Sequence, residues 1–350
     1  MAADQPLTIA LDATGADAGP REVARGGALA AARSGVRVLV FGPAAEIEPA
    51  PGLEVVDAPV SIAKAADPAR AVRSTPEASI VQAVQAVADG RADALVSGGS
   101  TGAALAAGLF HIKRSRGVHR PALAVLVPVP GKPFLLVDCG ANVAVRPEHL
   151  VQFAHMGAAF MEAVMGNGSP RVALLANGTE PEKGTEVVQA AHARLAEAEG
   201  LNFLGNVEGF AIGTGEADVI VTDGFTGNVF LKVMEGTADT LLRAVREAAM
   251  SSRRSTAGGA LLRPALRELR DAIDPEAQGG AFLLGLRELG VVPHGSFGAE
   301  GIARAVELAA RGVREDVVGR THARLAAAGA LKRAPSDAPA SLADPSTAER

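Results

Sequence analysis

Short apolar, β-branched runs alternate with longer stretches of helical composition along most of the chain. LTIALD (7–12), VRVLVFG (36–42) and LEVVDAP (53–59) read as three early strands, the first followed by the helical EVARGGALAAARS. SIVQAVQAVADG (79–90) has helical spacing, and ADALVSG (92–98) is a strand that leads into GSTGAALAAGLFHI. ALAVLVPV (122–129) and FLLVDCG (134–140) follow, the second opening into ANVAVRPEHLVQFAHMGAAFMEAV. RVALLAN (171–177) and DVIVTDG (218–224) complete the series, each ahead of a further helical run. Near-continuous apolar strands separated by helices predict an α/β fold, a mostly parallel sheet with helices on both faces.

In such sheets ligands sit outside the carboxyl ends of the strands. Five strand ends here carry small and polar residues. They are Asp12 with Gly15; Gly98, Ser100, Thr101 and Gly102; Asp138, Gly140 and Asn142; Asn177, Gly178, Thr179, Glu180 and Lys183; and Asp223, Thr226, Gly227 and Asn228. Each loop alone is explained by helix capping and turn formation. If the strands are parallel neighbours, the five converge on one edge and form a shared cleft. The Thr-Gly pair before a helix, at 101–102 and again at 226–227, suits backbone N–H and hydroxyl donation to an oxyanion. Lys183 at an expected helix start opposes the favourable dipole arrangement, which points to a bound anion, with a solvated surface lysine as the plain alternative. None of these loops is a P-loop, and no GxGxxG occurs.

Composition narrows the classes. The 350 residues are 48% hydrophobic with 40 glycines, 11 Phe and no Trp or Tyr, which suits close helix-on-sheet packing and not a nucleic-acid stacking platform. A net charge of −5 does not favour nucleic acid or an anionic membrane, though a local basic patch is compatible with it. One cysteine, Cys139, excludes an intrachain disulfide framework, and the seven His have no metal spacing. MAADQP at 1–6 does not open a signal peptide, so a cytoplasmic location is expected.

The strings LDATGADAGP, SGGSTGA, RPALA, DCGANV, PEHLVQFA, GTEPEKG, GNVEG, VTDGFTGNVFLK and QGGAFLLGL occur in this order. Together they resemble the PlsX family, the phosphate acyltransferases of bacterial phospholipid synthesis, from about Leu7 to about Ala310. The resemblance implies transfer of a long-chain fatty acyl group from acyl carrier protein to inorganic phosphate. It also implies a fold related to phosphotransacetylase and isocitrate dehydrogenase, a homodimer, and no metal or nucleotide cofactor. Thr14-Gly15-Ala16-Asp17, Ser100, RSTPEAS (73–79) and Asn177 depart from the family's usual MGGD, Asn, basic residues and Gly.

Phosphate itself can attack a thioester, so no protein nucleophile is required. What the reaction needs is an anion cradle, oxyanion donors and alignment. Lys183 and Asn228 are the catalytic candidates, as cation and amide donor. Gly98, Ser100, Thr101, Gly102, Asp138, Asn142, Gly178, Thr179, Glu180, Asp223, Thr226 and Gly227 are candidates to bind phosphate or acyl group. Asp12, Arg146 and His149 are further candidates, His149 either as acid to the leaving thiolate or as a helical histidine packed on the core. Cys139 is imaginable as an acyl acceptor, but packing is the simpler role. A short-chain phosphate acetyltransferase or dehydrogenase of the same fold, and a non-catalytic membrane-associated scaffold, stand as alternatives.

Residues 1–333 read as a single catalytic domain, with a helical arm at about 235–275 and a disordered tail at 334–350. On the arm, Leu262, Leu266, Leu269 and Ile273 form one apolar stripe beside Arg263, Arg267 and Arg270. That helix suits either an anionic membrane surface or a subunit interface.

Overall fold

The computed structural model describes residues 6–332, so the tail expected at 334–350 lies outside the described residues. One sheet of eleven strands runs through it. In chain order the strands are β1 (Thr8–Asp12), β2 (Arg37–Gly42), β3 (Leu53–Asp57), β4 (Ala94–Ser97), β5 (Ala122–Val127), β6 (Phe134–Val137), β7 (Arg171–Leu175), β8 (Asn202–Val207), β9 (Val219–Val221), β10 (Ala281–Leu284) and β11 (Leu289–Val292). The helices are α1 (Gly19–Ser34), α2 (Pro68–Ser74), α3 (Ser79–Ala88), α4 (Thr101–Ala107), α5 (Pro147–Met165), α6 (Glu186–Ala196), α7 (Gly224–Met250), α8 (Arg253–Ala272), α9 (Ala299–Arg314) and α10 (Val317–Ala327).

Period-two alternation divides the strand side chains between two buried clusters. Ile9 and Leu11, Leu135 and Val137, and Val219 and Val221 join residues of α1, α5, α9 and α10 in one cluster. Their neighbours Ala10, Leu136 and Ile220 join α3 and α4 in the other. The result is three layers, helices on both faces of a sheet whose central strands are apolar on both sides.

The strand order is β3-β2-β1-β4-β11-β10-β5-β6-β9-β7-β8. From β3 to β11 neighbours are parallel, and so are they from β6 to β8. Between these blocks the pairs β11–β10, β10–β5 and β5–β6 are antiparallel. Three successive reversals leave the two parallel blocks pointing in opposite directions. The carboxyl ends of β1 and β4 therefore lie on one edge, and those of β6, β9 and β7 on the other. The expected convergence of all five loops on a single edge is not met within this chain. The sequence reading passed over β8, β10 and β11; β11 extends the parallel block of β4, while β10 and β5 are the strands antiparallel to both neighbours.

The arm is built from the outer part of α7 and from α8. Gly259 of α8 lies against Ala249 of α7, and no residue of α8 is buried. The expected stripe divides: Leu266 and Ile273 are half-buried, while Leu262 and Leu269 are exposed together with Leu261 at 85%. Among the described residues no helix is long and apolar enough to cross a membrane.

Candidate active site

On the first edge, the buried Asp12 carboxylate ties three elements together. It accepts from Ser79 Oγ at the start of α3 (2.6 Å), from Ser97 Oγ of β4 (2.7 Å) and from the Thr14 N–H (3.2 Å). Burial raises its pKa, and these donors pull the other way. The carboxylate is thus committed to holding the loop, not turned to a ligand. Ser79, in the segment that departs from the family pattern, is one of its partners. Ser100, another departure, caps α4 by accepting from the Ala103 N–H at 3.4 Å, and Thr101 is the first helical residue. Gly98 is buried, and Gly102 is exposed beside Pro68.

The opposite edge is denser. Thr222 and Asp138 join adjacent strands, Thr222 N–H donating to the Val137 carbonyl at 2.7 Å. The Asp138 side chain, fully buried, accepts five bonds. Oδ1 takes the N–H groups of Leu123, Gly140 and Ala141 at 3.0–3.2 Å, and Oδ2 takes the backbone and side-chain nitrogens of Asn142, both at 2.7 Å. Burial raises its pKa, with those bonds opposing the rise. Asn142 Nδ2 also donates to the Pro121 carbonyl at 2.7 Å, and the Asn142 carbonyl accepts from the Gly224 N–H at 2.8 Å. The loops after β6 and β9 are one hydrogen-bonded unit.

Helix α7 begins inside that unit. Asp223 caps it, accepting from the Thr226 N–H at 2.8 Å and from the Thr226 hydroxyl at 2.7 Å. A β-carbon on Gly224 would meet Asn142 backbone atoms and the Asp138 carboxylate at 2.8–2.9 Å, so only glycine fits. Asn228 is exposed one turn along, its Cβ 4.0 Å from where a β-carbon on Gly140 would stand.

β7 lies beside β9, so its loop joins the same edge. Here Asn177 Oδ1 accepts from the Gly184 N–H (2.9 Å), and Asn206 Nδ2 of β8 donates to the Glu180 carbonyl (2.8 Å). Lys183 is exposed, with its chain folded over the buried Gly178, where a β-carbon would stand 2.6 Å from Lys183 Cγ. It does not occupy a helix start: α6 begins at Glu186, capped by Thr185, so the helix-dipole argument for it falls away. Thr179 and Glu180 are exposed in this turn.

His149 is 3% exposed, with Nδ1 facing the Arg146 N–H at 3.2 Å and Nε2 near the Arg146 guanidinium at 3.3 Å. Burial and then the Arg146 charge lower its pKa, which disfavours the protonated form that an acid to the leaving thiolate would need. Cys139 is buried, its Sγ 3.2 Å from the Leu136 carbonyl, and burial followed by the Asp138 charge pushes its thiol well up. A thiol in that environment is no nucleophile. Among the described residues no three His, Cys, Asp or Glu side chains are grouped to hold a metal.

Sequence reasoning passed over a cleft of about 1370 Å³ that opens at Ala141 and Asn142. Its wall is apolar at Leu105, Leu109 and Phe110, and its rim is basic at Lys113, Arg114, Arg116, Arg120, Arg146 and Lys332. The signal was present in KRSRGVHR (113–120), dense in cations within a chain of net negative charge.

The fold is that of the phosphotransacetylases. EutD phosphotransacetylase from Staphylococcus aureus superposes with a TM-score of 0.57 at 19% identity, over 88% of this chain and 94% of that one. A 4-hydroxythreonine-4-phosphate dehydrogenase from Klebsiella pneumoniae shares it at a TM-score of 0.51 and 16% identity, over 87% of this chain and 98% of that one. The chain belongs to the family described as fatty acid synthesis protein, the PlsX family, whose profile matches residues 7–320. Relatives named phosphate acyltransferase include those of Geobacillus thermodenitrificans, 42% identical over 91% of this chain and 99% of its own length, and Moorella thermoacetica, 43% identical over 89% and 94%.

Proposed function

We propose that this protein transfers a long-chain fatty acyl group from acyl carrier protein to inorganic phosphate, forming acyl phosphate for phospholipid synthesis. Membership in a family of phosphate acyltransferases supports the reaction class. The observation that carries the site is the adjacency of β6, β9 and β7, whose carboxyl ends bring Asp138 and Asn142, Asp223 to Asn228, and Gly178 to Lys183 to one edge.

In this reading Lys183, whose ammonium has no partner among the described residues, receives the phosphate dianion. The exposed Asn228 amide donates to phosphate and to the oxyanion that forms on the thioester carbonyl, while Thr226, whose N–H and hydroxyl both bond Asp223, shapes the helix start beside it. Asp138, saturated by N–H donors, holds the glycine loop in shape and does not touch substrate. Phosphate oxygen attacks the carbonyl carbon, the tetrahedral adduct collapses, and the carrier's pantetheine thiolate leaves. No acyl-enzyme forms, in keeping with the buried thiol of Cys139.

The exposed leucines and arginines of α8 favour an arm that rests on an anionic membrane surface, where a poorly soluble acyl phosphate would be delivered. A cytoplasmic homodimer with peripheral attachment follows from the same reading. The reaction is tested by incubating the protein with palmitoyl carrier protein and phosphate and following release of the carrier thiol. Phosphate-independent release, or none, rejects it.

A further inference from the structure

We propose that the basic cleft beside Asn142 is the docking surface for an acidic carrier protein, with its cationic rim on the carrier's acidic face and its apolar wall on the acyl chain. The inference rests on the acyltransferase reading and adds to it where the carrier sits. Lys113, Arg114, Arg116, Arg120, Arg146 and Lys332 all line one concavity, and no Asp or Glu among the described residues lines it. Arg146 pairs with Glu148 at 3.0 Å, and the Arg114 guanidinium donates to the His119 carbonyl. Lys113, Arg116, Arg120 and Lys332 have no carboxylate within ion-pair distance among the described residues. In a chain of net charge −5, such an unneutralised group is a local feature that selects and steers an oppositely charged partner.

The backbone bearing these cations is held rigidly. Gln152, 1% exposed, accepts from the His119 N–H at 2.8 Å and donates to the Gly117 and Ala330 carbonyls at 3.0 and 2.8 Å. Ser115 is bonded to Gly285 and Leu286 of the sheet end. A rim fixed in this way loses little freedom when a partner binds.

Lys113 is the sharpest indication. Its backbone stands at φ 70° and ψ 166°, a region suited to glycine and disfavoured for any residue with a β-carbon. The conformation is enforced by the Lys113 N–H donating to the Gly108 carbonyl (2.8 Å) and the Arg287 N–H donating to the Lys113 carbonyl (3.0 Å). A lysine at a position that suits glycine argues that the side chain is used. Beneath the rim, Phe110 is 41% exposed with the Arg73 guanidinium 5.3 Å over its ring, and Leu105 and Leu109 continue the apolar wall. Cations for an acidic face and a phosphodiester, above an apolar floor for a fatty chain, together match an acyl chain carried on a phosphopantetheine arm. The cleft reaches Asn142, so a thioester lodged there stands next to the loops proposed for catalysis.

The test compares an acyl carrier substrate with the same acyl group on pantetheine alone, in the wild type, in Lys113→Gly and in Arg116→Glu/Arg120→Glu. The ratio of kcat/KM for the carrier substrate to that for the small thioester should fall at least tenfold in the double variant and several-fold in Lys113→Gly. Lys113→Gly should melt no lower than the wild type, since glycine relieves the backbone. The wild-type preference for carrier should weaken with added salt, and that salt dependence should flatten in the double variant. An unchanged ratio in both folded variants overturns the proposal. So does a shift in oligomeric state on charge reversal, which would make the cleft an interface between two copies. A separate titration with unacylated carrier keeps docking distinct from chemistry: if the wild type releases no thiol yet binds carrier and the variants do not, docking stands and the acyltransferase reading falls. No binding by the wild type rejects the docking surface whatever the activity.

Discussion

A β-carbon placed on Gly227 would stand 2.0 Å from the carbonyl oxygen of Asp138, nearer than two such atoms can approach. The first turn of α7 and the loop after β6 are therefore interlocked through a missing side chain. Gly227→Ala should force one of them to move, costing about 1–3 kcal/mol as overpacking does and lowering acyl transfer by tenfold or more. Gly236 lies in the same helix with nothing within 4 Å of its added carbon, so Gly236→Ala should gain up to about 1 kcal/mol in helix propensity. Thermal unfolding of the two variants separates the cases. Equal melting temperatures would show that the loops tolerate a wider spacing.

Lys183 makes no side-chain hydrogen bond or ion pair among the described residues, while its turn is fixed independently by Asn177 and Asn206. Lys183→Ala should leave the melting temperature unchanged. Its kcat/KM for phosphate should drop roughly ten- to hundredfold, the rate equivalent of about 1.5–3 kcal/mol for a charge-assisted bond. Wild-type turnover at unsaturating phosphate would remove Lys183 from the anion site.

Cys139→Val should keep activity within a few-fold, because the thiol is buried among apolar side chains and unionised. An inactive but folded valine variant, with acylated wild-type enzyme recovered by mass spectrometry, would restore a covalent route.

The sequence made most of this architecture legible because each buried strand is an unbroken apolar run ending in a glycine-bearing loop. The strands at 8–12, 94–97, 134–137 and 219–221 follow from that pattern alone. Polarity does not. AFLL and LGVV at 281–284 and 289–292 are four residues each, and nothing local tells a parallel partner from an antiparallel one. The two reversals at β10 cancel, and the antiparallel pairing of β5 with β6 leaves the loops of Asp12 and Thr101 on the opposite edge from Asp138, Asn228 and Lys183. The glycines at the start of α7 were visible as turn residues, yet the reason for Gly224 and Gly227, close approach of another loop, appears only in three dimensions. Lys183 shows the converse: the residue type was suggestive, but the helix-start argument for it fails because Thr185 does the capping.

His155 is 2% exposed and its Nδ1 has no partner among the described residues, so burial, reinforced by the Arg324 charge, lowers its pKa from 6.5 to about 4. The unfolded chain takes up a proton below about 6.5 while the folded one does not until about 4. Its contribution to stability is whole above pH 6.5 and is lost as pH falls through that window, at up to about 1.4 kcal/mol per unit. Chemical denaturation at pH 7, 6, 5 and 4.5 should follow this slope in the wild type and a shallower one in His155→Leu. Parallel curves would place the acid sensitivity elsewhere.

The arm presents Leu261, Leu262 and Leu269 to solvent, 85%, 59% and 44% exposed, and Arg263, Arg267 and Arg270 lie beside them. A monomeric protein gains nothing from leucines held out on a helix with no buried residue, so the face is expected to meet a surface. Insertion of each leucine would contribute roughly 1.5–3 kcal/mol, and each arginine near anionic lipid about 1 kcal/mol. Leu262→Glu removes one such contribution and sets a negative charge against anionic headgroups. The wild type should float with anionic liposomes and much less with neutral ones, while Leu262→Glu should remain in the soluble fraction with its transfer of acyl groups from carrier to phosphate intact. Ultracentrifugation of the same variant decides between the two uses of the stripe. If Leu262→Glu is monomeric where the wild type is dimeric, or if the wild type does not float, the leucines belong to a subunit interface and the membrane role is lost.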